Sequence, residues 1–115
     1  MTAMAASATL TELWSAGSLS LAPTAEIGDQ HAVFQPAHGS APDIAGRGIA
    51  NPIGQIWSGA MMLEHLGHGE AAAAIVTAIE AVLTRGDPAE LTPDVGGRGD
   101  TAALGHAIVR SIEAA

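Results

Sequence analysis

Apolar residues recur at helical spacing over three stretches of this chain, and caps and glycines between them mark where each stretch begins and ends. Ile53, Ile56, Trp57, Ala60, Met61 and Leu63 keep one stripe of a 3.6-residue period. Asn51 and Pro52 precede that stripe, an N-cap residue followed by a proline whose missing N–H costs nothing in the first helical turn, and Gly67 ends it. A second helix is predicted over Glu70 to Arg85, carried by Ile75, Ile79, Val82 and Leu83 and stopped by Gly86, with Pro88 just beyond. Asp100 is expected to cap a third, with Leu104, Ile108, Val109 and Ile112 turned inward. Towards the amino terminus, Thr9 to Trp14 reads as a short helix with Leu10 and Leu13 on one face. Leu19-Ser20-Leu21 alternates over too short a span to be more than a strand stub before Pro23, and Ala32 to Gln35 reads as a short strand ending at Pro36. Leu91 to Asp100 is a turn-rich connection. The pattern is α/β and helix-dominated, with few, short strands and no internal repeat.

Composition narrows the function classes. At 115 residues the chain is a single domain at most, near the small end for an enzyme. Twelve carboxylates against four arginines and no lysine give a net charge of −8, which argues against nucleic acid and against anionic membrane as partners. There is no cysteine, so no disulfide framework, thiolate nucleophile or zinc–thiolate site. No apolar run reaches the length of a membrane span, and the first forty-six residues lack the basic residues of a secretory leader, so a cytoplasmic location is expected. Rich in alanine and with only Trp14, Phe34 and Trp57 as aromatics, the chain calls for close helix packing.

The densest chemical signal is the run His38-Gly39-Ser40-Ala41-Pro42-Asp43-Ile44-Ala45-Gly46, closed by Gly48-Ile49-Ala50-Asn51-Pro52. Its glycines admit close backbone approach, and a lone carboxylate can grip ribose hydroxyls; on composition alone it also reads as a connector in which Asp43 bonds its own backbone after Pro42. It is not the Rossmann fingerprint, since Gly46-Arg47-Gly48 lacks the third glycine. The segment Phe34 to Pro52 resembles the cofactor loop of the NAD-dependent β-decarboxylating dehydrogenases, the isocitrate/isopropylmalate dehydrogenase family. That family's pattern runs roughly F-E-P-V-H-G-S-A-P-D-I-A-G-K-G-I-A-N-P, and over nineteen positions only Gln35, Ala37 and Arg47 depart from it. Pro52-Ile53-Gly54-Gln55-Ile56-Trp57 is similar to the tartrate/D-malate dehydrogenase branch, and Thr92-Pro93-Asp94-Val95-Gly96-Gly97 resembles the family's turn before its last helix.

The resemblance implies a cofactor site made of His38, Gly39, Ser40, Ala41, Asp43, Ile44, Ala50 and Asn51. The residues matching His38 to Ala41 lie against the adenosine diphosphate portion in the family, the one matching Asn51 pairs with adenine, and the one matching Asp43 takes the ribose hydroxyls. Family members that use NADP place a lysine and a tyrosine where Asp43 and Ile44 stand. A carboxylate facing a 2′-phosphate about 4 Å away costs about 4 kcal/mol at an effective dielectric of ~20, so the acid favours NAD.

The same resemblance implies what this chain lacks. The family holds Mg2+ or Mn2+ on two aspartates of a D-I-L-S-D-L helix, and the ion polarises the substrate oxygen for decarboxylation. The best match here, Ala8-Thr9-Leu10-Thr11-Glu12-Leu13, keeps only Glu12, which reads more simply as a solvated helix acid, so no metal ligand is assigned. The substrate-gripping arginines and the acid/base tyrosine and lysine belong to a part of the family fold upstream of this segment, and the chain contains neither Tyr nor Lys. No catalytic residue is assigned either. His65 and His68 are spaced to share a metal but more simply sit at the favourable end of a helix dipole. His31 and His106 are isolated, and Arg98-Gly99-Asp100, in an acidic chain without a leader, carries no adhesion reading.

The domain reading is a degenerate helix remnant and lead-in over 1–18, then the carboxy-terminal portion of an isopropylmalate dehydrogenase-like domain over 19–115, with the NAD loop at 38–51. The expected function is the NAD-binding portion of an oxidoreductase, a 2-hydroxy-acid oxidative decarboxylase, truncated and inactive alone. The alternative is a non-catalytic nucleotide-binding or interaction protein derived from that family. Expected partners are NAD and either further copies of the chain or a separately encoded amino-terminal portion.

Overall fold

The computed structural model describes residues 21–115. The helix expected over Thr9 to Trp14, Glu12 with it, and most of the stub at Leu19 lie outside the described residues.

The first element, β1 (Pro23–Ile27), pairs antiparallel with β2 (Ala32–Pro36) in the register Pro23 to Pro36, Ala25 to Phe34 and Ile27 to Ala32. The loop between them closes through Gly28 N–H donating to His31 O at 2.8 Å, and Ala37 N–H to Ala22 O continues the ladder past the strand ends. β2 falls where the sequence places it. β1 begins at Pro23 itself, in a stretch that the sequence pattern does not mark as a strand. The reason is the composition of the strand: proline takes the terminal position, where a strand tolerates it, and buried Ala25 is too small to register as an apolar beat between Thr24 and Glu26.

α1 (Ile53–His65) begins as its cap predicts. Asn51 Oδ1 accepts from Ile53 N–H at 2.9 Å, and Pro52 O already accepts from Ile56 N–H. At its other end Gly67 takes φ +95°, its N–H reaches Glu64 O and His68 N–H reaches Leu63 O at 2.8 Å, a Schellman closure. α2 (Gly69–Arg85) stops at Gly86 in the left-handed region, whose N–H bonds Val82 O. α3 (Thr101–Ala114) starts at Asp100, whose carboxylate accepts from Ala103 N–H at 2.7 Å. Short 3-10 turns occupy Pro42–Ile44 and Pro93–Val95.

α1 lies at the centre, with the hairpin against it on one side and α2 on another; α3 packs on α2. Ile53, Trp57, Ala60 and Met61 of α1 meet Ala72, Ala78, Ile79 and Val82 of α2, Leu104, Ala107 and Ile108 of α3, and Leu21, Ala25 and Leu91. Ile56, Leu63, Ile75, Leu83 and Ile112 flank this core partly buried, while alanines fill its interior and let the helices approach closely. Val109 is not inward but half exposed: with Leu104, Ala107 and Ile108 forming the inner face, the next residue is turned about 100° off it.

Candidate functional site

The segment joining β2 to α1 is the loop that the sequence singles out. Successive turns carry it: Ile44 N–H bonds Ala41 O, Ala45 N–H bonds Pro42 O and Arg47 N–H bonds Ile44 O. Gly46 and Gly48 take φ +82° and +69°, conformations that a side chain would strain, so glycine is required at both. His38 folds back on the chain, with Nδ1–H donating to Gly39 O at 3.0 Å.

This loop forms the wall of an open cleft of about 900 Å3. His38, Gly39, Ser40, Ala41, Ile44, Ala50 and Asn51 line it, each of them an expected cofactor residue. The opposite wall is Pro93 and Asp94, from the 3-10 turn before α3. The volume falls within the usual range for cofactor sites. Asp43 stands beside the cleft rather than in its wall: it is exposed in the turn between Ala41 and Ile44 and makes no hydrogen bond among the described residues. The backbone bond that a plain connector would give Asp43 is not formed.

A hydrogen-bonded chain ties the two walls together. The fully buried Thr92 donates its hydroxyl to Asp94 Oδ1, Asp94 Oδ2 accepts from Asn51 Nδ2–H at 3.1 Å, and Asn51 Oδ1 caps α1 at Ile53. Both ends of the Asn51 amide are thereby engaged and its plane is fixed. From the other side Thr101 at the head of α3 donates its N–H to Gly48 O at 2.8 Å and its hydroxyl to Ala50 O. Residues 43 positions apart in the sequence thus meet across one cleft. Pro93 and Asp94 read in the sequence only as part of a turn; the acid within Thr92-Pro93-Asp94 was the available signal, and its distance along the chain hid it.

The structure brings none of the remaining candidates into the cleft. His65 tilts against Phe34 with ring centroids 5.5 Å apart, and His68 lies in the turn between α1 and α2. Among the described residues no three His, Asp or Glu side chains converge on a metal site. The Arg98-Gly99-Asp100 stretch is consumed by the fold: Arg98 N–H bonds Pro88 O, Gly99 N–H bonds Leu91 O and Asp100 caps α3. Gly97 and Gly99 pass so close to the backbone of Ala89 to Leu91 that a Cβ at either would collide with it. Glu90 holds that connection in place, taking Arg85 on one oxygen at 2.6 Å and Arg110 on the other at 3.2 Å.

Residues 11–108 match the family model of isocitrate/isopropylmalate dehydrogenase. The chain belongs to that family. It is 53% identical over 97 residues to an isocitrate/homoisocitrate dehydrogenase of Thermus thermophilus, covering 84% of this chain and 28% of the relative. It is 49% identical over 100 residues to a probable tartrate dehydrogenase/decarboxylase of Agrobacterium vitis, covering 84% of this chain and 27% of that one. Among solved structures, isocitrate dehydrogenase from Methylococcus capsulatus superposes with a TM-score of 0.80 at 42% identity, over 90% of this chain and 31% of its own. A β-decarboxylating dehydrogenase from Thermococcus kodakarensis in its apo form superposes with a TM-score of 0.79 at 46% identity, over 92% of this chain and 31% of its own. The dehydrogenase-family chain described here therefore spans less than a third of the length of these relatives, and its α/β, helix-dominated fold is theirs over that span. No helix among the described residues is long and apolar enough to cross a membrane.

Proposed function

We propose that this chain is the NAD-binding portion of an oxidative decarboxylase of the isocitrate/isopropylmalate dehydrogenase family, acting on a 2-hydroxy acid only together with residues that this chain does not carry. The observation that carries the reading is the cleft itself, with its wall of His38 to Ala41, Ile44, Ala50 and Asn51. Glycine and alanine there leave room for a ligand against the backbone, and apolar Ile44 and Ile49 offer a surface for a flat ring. The diphosphate side of the cofactor lies along His38 to Ala41, and the adenine beside Asn51. Asp43, exposed at the mouth, reaches the ribose hydroxyls and disfavours a 2′-phosphate.

Among the described residues no three carboxylate or imidazole groups converge, and Glu12, the one residue matching the family's metal-holding aspartates, lies outside them. With no tyrosine or lysine in the sequence, the chain also has no candidates for the acid/base pair. The substrate carboxylates, the metal and the proton transfers are assigned to the complementary portion of the family fold. Calorimetric titration tests the reading: NAD and ADP-ribose are expected to bind weakly and NADP more weakly still. Equal binding of NAD and NADP removes Asp43 from its role, and no binding of either removes the cofactor site.

A further inference from the structure

We infer that Thr101, which lies outside the cleft wall, is the positioning residue that makes the site selective for adenine over 6-oxo purines. The inference rests on the reading of the cleft as a dinucleotide site. Thr101 opens α3, yet both of its hydrogen-bond donors are spent on the loop before α1. Its N–H donates to Gly48 O at 2.8 Å and its hydroxyl donates to Ala50 O. Two alternate carbonyls of the loop are thus turned towards one residue.

In a trans peptide the N–H points opposite to the C=O of the same unit. With the Ala50 carbonyl turned to Thr101, the Asn51 N–H is directed away from α3. Ala50 and Asn51 line the cleft and Thr101 does not, and on this inference that direction leads into the cleft. The Asn51 side chain is held separately, by Ile53 N–H at one end and Asp94 at the other. Reading of the base therefore falls to the Asn51 peptide N–H, whose orientation the Thr101 hydroxyl sets. A fixed N–H donor accepts as its partner an unprotonated ring nitrogen, such as N1 of adenine. A 6-oxo purine carries a proton on N1 and would set donor against donor, leaving a polar group unpaired.

The test is titration of AMP and IMP into the full chain, as wild type, Thr101→Val and Thr101→Ser, with heat stability followed alongside. Valine keeps the size and the backbone N–H and removes the hydroxyl. The wild type is expected to prefer AMP, Thr101→Val to lose about 3- to 10-fold of that preference, and Thr101→Ser to restore it. A wild-type AMP/IMP ratio in Thr101→Val overturns the inference, as does a loss that serine does not rescue, which would assign the residue to packing. If the valine variant does not fold, the amide resonance of Asn51 in the wild-type chain decides: AMP is expected to move it and IMP to leave it, and equal responses overturn the inference. Should the wild type bind AMP and IMP alike, the inference alone falls. Should it bind neither AMP nor ADP-ribose, the reading of the cleft falls with it.

Discussion

Asp43 and Asp94 flank one cleft but differ in their surroundings. Asp94 is tied down on both oxygens by Thr92 and Asn51, whereas Asp43 is exposed. Exposure weakens the charge argument for cofactor choice, because water and salt screen a surface pair well below the few kcal/mol of a desolvated one. Asp43→Lys is therefore expected to change the NAD to NADP affinity ratio by about tenfold rather than a thousandfold, and more at low ionic strength. Paired calorimetric titrations at two salt concentrations check this; a ratio indifferent to the substitution at both would take Asp43 out of the site. Gly97 gives a second single-residue outcome. A Cβ there meets the Leu91 carbonyl, which is backbone and cannot step aside, so Gly97→Ala is expected to lower the urea midpoint in circular dichroism well beyond the effect of a surface substitution. A variant as stable as the parent would mean that the connection before α3 relaxes freely. The loop between β2 and α1 was legible residue by residue because its signature is local. Pro93, Asp94 and Thr101 were not, because what gives them meaning is proximity across the fold.

The helices show how far punctuation carries. Asn51-Pro52, Gly67, Gly86 and Asp100 each end or begin an element where the sequence places the boundary, because a cap is a local bargain between one side chain or one glycine and the nearest open backbone groups. Asp100→Ala is expected to lower stability by about 1 kcal/mol, read as a shifted urea midpoint in circular dichroism. An unchanged midpoint would show that the bond to Ala103 contributes nothing net. β1 escaped the sequence reading because Pro23, Thr24 and Ala25 make a weak alternating pattern, and only pairing with Phe34 and Val33 makes it a strand. Val109 was misplaced for a related reason. Its size suggested the core, but the close packing of α3 on α2 runs through Ala107, and only the assembled helices decide which face is inner.

At the scale of the whole molecule, the hairpin leaves unpaired strand edges among the described residues, and apolar side chains are exposed on the hairpin, at α1 and on α3. The described sheet has two strands, so each strand carries one edge without a partner there. Val33, Met62, Leu66 and Val109 are between 42% and 61% exposed, and surface of this kind is commonly relieved by association. We expect the chain on its own to self-associate in sedimentation velocity and to melt with poor cooperativity; a monomer with a sharp two-state melt would mean that these residues form a self-sufficient unit. A further expectation concerns chemistry. With a divalent ion and malate, tartrate, isocitrate or isopropylmalate present, the purified chain should give no NAD reduction above the buffer blank. Turnover that follows the chain through purification would contradict the assignment of acid/base chemistry to other residues.

The central claim is that the loop between β2 and α1, together with the turn before α3, holds the adenosine end of NAD. An 11.5 kDa chain lends itself to resonance assignment, so the most direct measurement is amide chemical-shift mapping on titration with ADP-ribose. Saturable shifts are expected at Gly39, Ser40, Ala41, Ile44, Ala50, Asn51 and Asp94, with the amides of α2 left in place. Shifts confined to other surfaces, or none at saturating ADP-ribose, would contradict the account.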